Sequence, residues 1–445
     1  MDAYTVIYGI FASLLAASLI SLVKSERVAF LSIVLFASTS FLLSLLLFEF
    51  PTVHNSWSYV DYPAKMLLLT INSVFLIAAL HSHFCLSNIK NFNFSPNYYY
   101  SLLSGFALSM ALAVTSPSLG YAWLWLEAST IISAALILIE KDKKHVESAW
   151  RYLLIASSGL GIAFLSIVLF GRATGTLLWF NANIQWGAFL IGSLSLVGFG
   201  TKAGLFPMHG WLPDAHGTAP SPVSALLSGA LLPSSLIIYY RIFTLTHSLP
   251  LFYLTSAVGI ATVWVAAILM VSQKYTKRLL AYSSMDVMGI ATVGIALTQF
   301  YPNAIDYVLL IFLAHGISKS ILFLSAGTLK RYGLEKIEDI NDLIRSSPYL
   351  AFAVLISALT VTGAPPFAVF FGEFGIFVSL VHFPILFVSL LIGVFLSFAA
   401  LNYHAISMLF QGEKTEIIKF SHSAVPFFSA LCSLILIFLA IWGWF

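Results

Sequence analysis

Charge is what this sequence has least of: only 9% of its 445 residues are Asp, Glu, Lys or Arg, while 60% are apolar. A soluble domain carries about a quarter charged residues, so a core of this size would lack a polar shell, and the solvent has to be lipid. Cysteine is nearly absent as well. Cys85 and Cys432 both fall in apolar runs. Two thiols cannot ligate an iron–sulfur cluster, and no CxxC or HExxH spacing occurs, so both read as buried free thiols and no cofactor is expected in this chain. A nucleotide-binding loop is missing, which leaves ATP drive without support. So is any hydrophilic stretch able to form its own domain, since the longest, 330–347, is too short to build a core. No basic tract points to a nucleic-acid partner.

What the chain does have is apolar runs of helical length. A spanning helix needs roughly 20 apolar residues, and the runs lack the alternation of a barrel wall. The first run has no basic residue before it and is longer than a signal-peptide core, so it reads as a span. Fourteen spans are predicted, near 3–23, 28–50, 65–88, 98–116, 118–139, 151–171, 185–206, 219–243, 250–272, 278–299, 305–329, 347–372, 380–410 and 424–445. The predicted fold is an all-α polytopic membrane protein.

The basic residues orient it. Loops after the odd-numbered spans hold 16 of the 21 Lys and Arg residues, the opposite side holds Lys65, Arg172 and Arg241, and Lys202 and Lys319 fall inside spans. This strong positive-inside bias places the basic loops in the cytoplasm and both termini outside.

Ionisable groups within spans are costly, about 2.5–3.5 kcal/mol at the bilayer centre on insertion scales, and normally mark ion or proton paths. Glu127 lies mid-span in WLWLEASTIIS, Lys202 in span 7, Asp286 in span 10, and His315 and Lys319 four residues apart in span 11, on one helical face. Glu373 follows Pro365-Pro366 in span 12. Arg241, near a span end, reads as a snorkelling or structural residue. The competing reading is that all these charges pair as static ties between helices, but their number favours transport.

Two spans are interrupted by proline, which removes a backbone hydrogen bond and frees a carbonyl. Pro207 comes just after Lys202, and Pro365-Pro366 just before Glu373. Five spans separate the breaks, so spans 4–8 and 9–13 would correspond as two units of opposite topology, a recurrent transporter design. At the level of whole spans, Glu127 then matches Asp286, and Lys202 matches Glu373. The implied division is 1–96 for three N-terminal spans, 97–245 and 246–412 for the two five-helix bundles, and 413–445 for the last span.

The stretch GTKAGLFPMHGWLPDAHGTAPSPVSALLSG, residues 200–229, closely resembles the signature of the antiporter-like subunits of complex I, Mrp cation/proton antiporters and membrane-bound hydrogenases. HVESAWRYLLIASSGLGIA, KRLLAYSSMDVMG and PPFAVFFGEFGIF are similar to the component F subunits of hydrogenase-4 and formate hydrogenlyase-type complexes. The resemblance implies fourteen helices with two inverted five-helix repeats, each containing a broken helix. It implies a proton relay in which Glu127 and Lys202 form the first half-channel pair, Lys319 with His315 is the central lysine, and Glu373 gates the exit. His209 and His216 match the signature histidines, for which capping and loop hydrogen bonding is an equal alternative.

The same resemblance implies a subunit of a redox-driven complex in the cell membrane of a prokaryote. Its partners would be sister antiporter-like subunits, other membrane subunits, lipid, and a peripheral arm carrying Fe–S, and in hydrogenases NiFe, centres. H+ is the expected ion, with Na+/H+ exchange of the Mrp type and a purely structural subunit as alternatives. Three departures stand out: Pro233 replaces a lysine common in relatives, Val287 a histidine, and Asp286 a glutamate. They put the connection between the two half-channels in question.

Overall fold

Six of the sixteen prolines sit at the first or second position of a helix, where the missing N–H would have had no intrahelical partner. Prolines thus begin helices here more often than they break them. The computed structural model describes residues 2–23, 25–87, 89, 91–412 and 424–431. In chain order the helices are α1 (Ala3–Ile20), α2 (Glu26–Leu46), α3 (Tyr62–Leu86), α4 (Pro96–Val114), α5 (Leu119–Ile137), α6 (Lys143–Thr174), α7 (Ala188–Lys202), α8 (Trp211–Thr218), α9 (Ser221–Leu226), α10 (Leu232–Phe243), α11 (Leu249–Val271), α12 (Thr276–Leu297), α13 (Ala304–Arg331), α14 (Leu343–Ser346), α15 (Pro348–Val361), α16 (Ala368–Leu380) and α17 (Pro384–Phe410). A π turn, Leu227–Leu231, joins α9 to α10. Residues 424–431 are helical, and the rest of the predicted fourteenth span, with Cys432, lies outside the described residues. Cys85 is a free thiol.

Among the described residues, ten helical segments are long and apolar enough to cross a membrane, and α7, α15 and α16 are shorter apolar helices. Burial separates inner from outer elements. The continuous segment Ser221–Phe243 and α12 are wholly buried and α13 nearly so, whereas α1, α2 and α17 turn most of their surface outward. An outward face this apolar suits lipid rather than water.

Helix ends follow local chemistry. Asp61 caps α3 by accepting from the Ala64 N–H at 2.9 Å, and α6 stops at Gly175, whose φ of +75° is the left-handed terminator. α6 begins eight residues before the predicted span because its first turns are amphipathic: His145, Ser148, Ala149 and Tyr152 are buried on one face of an otherwise charged stretch. The predicted spans 12 and 13 also shift. The twelfth is two helices, α15 and α16, parted by residues 362–367, and α16 continues to Leu380 before α17 starts at Pro384.

Arg241 does not snorkel. It is 1% exposed and donates to the carbonyls of Val114 at 2.5 Å and Ser116 at 3.2 Å, with Asp61 at 3.6 Å and the Trp179 ring at 4.5 Å. One guanidinium fork thereby ties α10 to the end of α4, the start of α3 and the loop after α6. A short hairpin of β1 (Val53–His54) and β2 (Tyr59–Val60) lies at the same end, with Tyr59 packed on Trp179 and Phe180.

Candidate functional site

The two helix breaks are built alike. α7 ends at Lys202, and Gly204 follows with φ +76°; α15 ends at Val361, and Gly363 follows with φ +65°. Three residues after each glycine comes a proline in a cis peptide bond, Phe206-Pro207 and Pro365-Pro366. The backbone bonds repeat as well: Leu205 N–H to Gly200 O and Ala364 N–H to Leu359 O, Gly204 N–H to Thr201 O and Gly363 N–H to Thr360 O. Both turns need glycine, because a side chain at positive φ is strained.

Lys202 and Glu373 nevertheless occupy different halves. Lys202 closes the helix before its break, whereas Glu373 lies on α16, after its break, so their correspondence holds for whole spans only.

Lys202 is fully buried. Its ammonium donates to Thr130 Oγ1 on α5 at 2.6 Å and to the Tyr152 hydroxyl on α6 at 2.8 Å. Tyr152 in turn bonds Ser133 at 2.8 Å, and its ring packs at 4.7 Å on Trp211, the first residue of α8. Trp211 donates its indole N–H at 2.9 Å to Thr201 O, the carbonyl at the break that also accepts from Gly204 N–H. Glu127 stands one turn before Thr130 on the same face, accepts from Ser157 Oγ at 2.5 Å, and leaves Oε2 buried without a hydrogen bond among the described residues. The expected pair is not a contact pair.

The second group centres on α13. Lys319, also fully buried, donates to Leu280 O at 2.9 Å. Asp286 on α12 accepts from Ser397 of α17 at 2.7 Å. Glu373 is 6% exposed, its carboxyl lying over Gly363 where a Cβ would collide with it. It sits at the base of an open apolar groove of ≈ 630 Å³ walled by Phe370, Phe374, Phe377, Phe395 and Phe398.

The three histidines are placed differently from one another. His315 is fully buried, with Nε2 3.4 Å from Ser228 Oγ and Nδ1 unpartnered among the described residues. His216 on α8 stacks on Phe323 of α13 at 4.9 Å, and both its ring nitrogens are buried without a hydrogen-bonding partner among the described residues. His209 is apart from the rest, half-buried in the turn between α7 and α8 beside the exposed Phe206 and Met208.

Reasoning from sequence missed the hydroxyls. Thr130 and Ser133 follow Glu127 at helical spacing and carried a local signal; Tyr152, Ser157 and Ser397 come from other helices and carried none. It also placed Lys277 in a basic loop. That residue is 8% exposed and donates to Ala219 O at 2.8 Å. Beside it a cavity of ≈ 250 Å³ opens among Lys144, Asp214, Arg278, Lys330 and Glu335, against the helix that carries His216.

Residues 116–399 match the family model described as NADH:quinone oxidoreductase/Mrp antiporter, TM. The chain belongs to this family. It is an antiporter-like membrane subunit of the type found in complex I, Mrp and membrane-bound hydrogenase assemblies. It is 30% identical to the hydrogenase-4 component F homolog of Methylacidiphilum infernorum, over 96% of this chain and 94% of that one. Its fold is similar to a chain of the membrane-bound sulfane sulfur reductase, an archaeal respiratory membrane complex, with TM-score 0.87, 20% identity and coverage of 99% and 95%. A chain of the Mrp complex from Dietzia sp. DQ12-45-1b superposes with TM-score 0.86 at 16% identity, covering 98% and 94%. The antiporter-like fold thus extends through the first four helices, before the matched family region begins.

Proposed function

We propose that this chain moves protons across the membrane as one subunit of a redox-driven complex, along a row from Glu127 through Lys202 to Lys319, Asp286 and Glu373. One observation carries the reading: Glu127, Lys202, Lys319 and Asp286 have neutral hydrogen-bond partners. Among the described residues, none of the row's five side chains is in a contact ion pair. Charges retained as ties between helices would pair directly, since an unpaired buried ion costs several kcal/mol. Lys202 and Lys319 instead rest on hydroxyl and carbonyl oxygens, so each can lose its proton without breaking an ion pair.

His315 serves Lys319, and His216 extends the row towards the cavity beside Lys277; His209, in its exposed turn, stands outside it. The like-built breaks support two inverted units, 97–245 and 246–412, within a fourteen-span chain whose basic loops face the cytoplasm of a prokaryotic cell and whose termini face out. Electron transfer belongs to partner subunits with Fe–S centres, and sister antiporter-like subunits complete the membrane arm.

The test is ΔpH formation in inverted vesicles, driven by the complex's own electron donor, with and without Na+. The reading expects acidification without Na+ and its fall by this subunit's share in Glu127→Gln. Strict Na+ dependence would establish Na+/H+ exchange instead, and unchanged acidification in both Glu127→Gln and Lys202→Ala would leave a structural subunit.

A further inference from the structure

By the sequence resemblance Pro233 takes the place of a lysine, so the two halves of the row need another link. The proline itself shapes what is there. It has no N–H for the preceding turn, and the chain absorbs this by widening to the π turn Leu227–Leu231 within one continuous buried segment. That turn lies directly on α13: a Cβ at Gly229 would come within 2.9 Å of both Cα and O of Gly316. Such close approach brings Ser228 to His315, the neighbour of Gly316, with Ser228 Oγ 3.4 Å from His315 Nε2. On its other side Ser228 Oγ is 2.7 Å from Ser284 Oγ of α12. Ser284 donates to Leu280 O at 3.0 Å, the oxygen that also accepts from the Lys319 ammonium at 2.9 Å. Three helices thus meet in a closed polar cluster of Ser228, Ser284, His315 and Lys319, and all four residues are fully buried.

We infer that Ser228 and Ser284 form the hydroxyl link of the proton path in this chain, replacing the basic side chain that Pro233 excludes. A hydroxyl donates and accepts at once. When a proton reaches Ser228 Oγ from the Lys202 side, Ser228 passes its own proton to Ser284 Oγ, Ser284 gives its hydroxyl proton to the neutral Lys319 amine, and both hydroxyls then rotate back. One proton enters and one leaves, and no charge is left on a serine. Ser284 and Lys319 share the Leu280 carbonyl, so the link ends within reach of the lysine. The glycine pair and the π turn are positioning devices. This inference rests on the proton-relay reading above.

Its test uses the whole purified complex in vesicles, measuring protons moved per electron and electron-transfer rate in Ser228→Ala, Ser284→Ala, the double variant, Ser228→Thr and Lys319→Ala. The expected result is assembled complexes in which each alanine variant loses at least half of this subunit's pumping share. A path broken once cannot be broken again, so the double variant should equal the more severe single one, and Ser228→Thr should retain pumping. Full stoichiometry in the double variant would overturn the link if Lys319→Ala abolishes the share; if Lys319→Ala also pumps normally, the relay reading itself fails. A Ser228→Thr variant as impaired as Ser228→Ala would assign the loss to packing and overturn the hydroxyl role.

Discussion

Lys202 and Tyr152 meet at 2.8 Å, ammonium to phenol, with the lysine nitrogen 5.0 Å from the ring centroid. The tyrosine therefore supplies a neutral hydrogen-bond acceptor to a charge that has no contact carboxylate. Tyr152→Phe keeps the ring and its packing on Trp211 while removing the acceptor. Loss of one hydrogen bond costs about 1 kcal/mol, so the complex is expected to assemble, with pumping reduced several-fold at an unchanged electron-transfer rate. Simultaneous vesicle ΔpH and turnover measurements check this.

Arg241 is the residue whose loss should unfold rather than uncouple. Arg241→Ala strands two carbonyls and Asp61 in a buried setting, and breaking a buried pair in this way costs about 3–5 kcal/mol. The expected outcome is a sharp fall in the amount of complex recovered and in its thermal stability in detergent. Arg241→Lys should restore little of it, because a point charge cannot span both carbonyls.

Gly363→Ala tests how Glu373 is held. The new methyl would meet the carboxyl at a backbone φ of +65°, so the carboxyl has to leave its seat. Proton movement should fall as far as in Glu373→Gln while α15 and α16 stay folded, read as pumping loss with normal assembly.

Gly198 lets α7 lie against α6, and a Cβ there would strike the backbone nitrogen and Cβ of Ala163. Gly198→Ala is expected to lower stability by about 1–3 kcal/mol, measurable as a fall in melting temperature. It should also reduce pumping, since Tyr152 and Lys202 sit on the two helices being forced apart.

Much of this site was legible because lipid makes ionisable residues conspicuous. Glu127, Lys202, Asp286, Lys319 and Glu373 stood out against apolar runs, and Pro207 and Pro365-Pro366 marked the breaks. Span positions were legible from hydropathy, except where α6 hides its amphipathic start in a charged stretch and where two half-helices read as one span. What the sequence concealed was the solvation of the charges. Ser397 lies 111 residues from the Asp286 it serves, and Ser228 and Ser284 are ordinary helix residues until the Gly229–Gly316 approach brings three helices together. Hydroxyls are common in membrane helices, so only tertiary packing separates those that line a path from those that bond back to their own backbone.

The central claim is that protons pass between two buried lysines in this chain. The most direct measurement is the number of protons moved per electron by the purified complex in vesicles, compared for the native chain, Lys202→Ala, Lys319→Ala and the double variant. The account predicts the same reduced ratio in all three variants, with electron transfer persisting, because either lysine interrupts one path. A native ratio in either single variant, or a deeper loss in the double variant than in both singles, would contradict it.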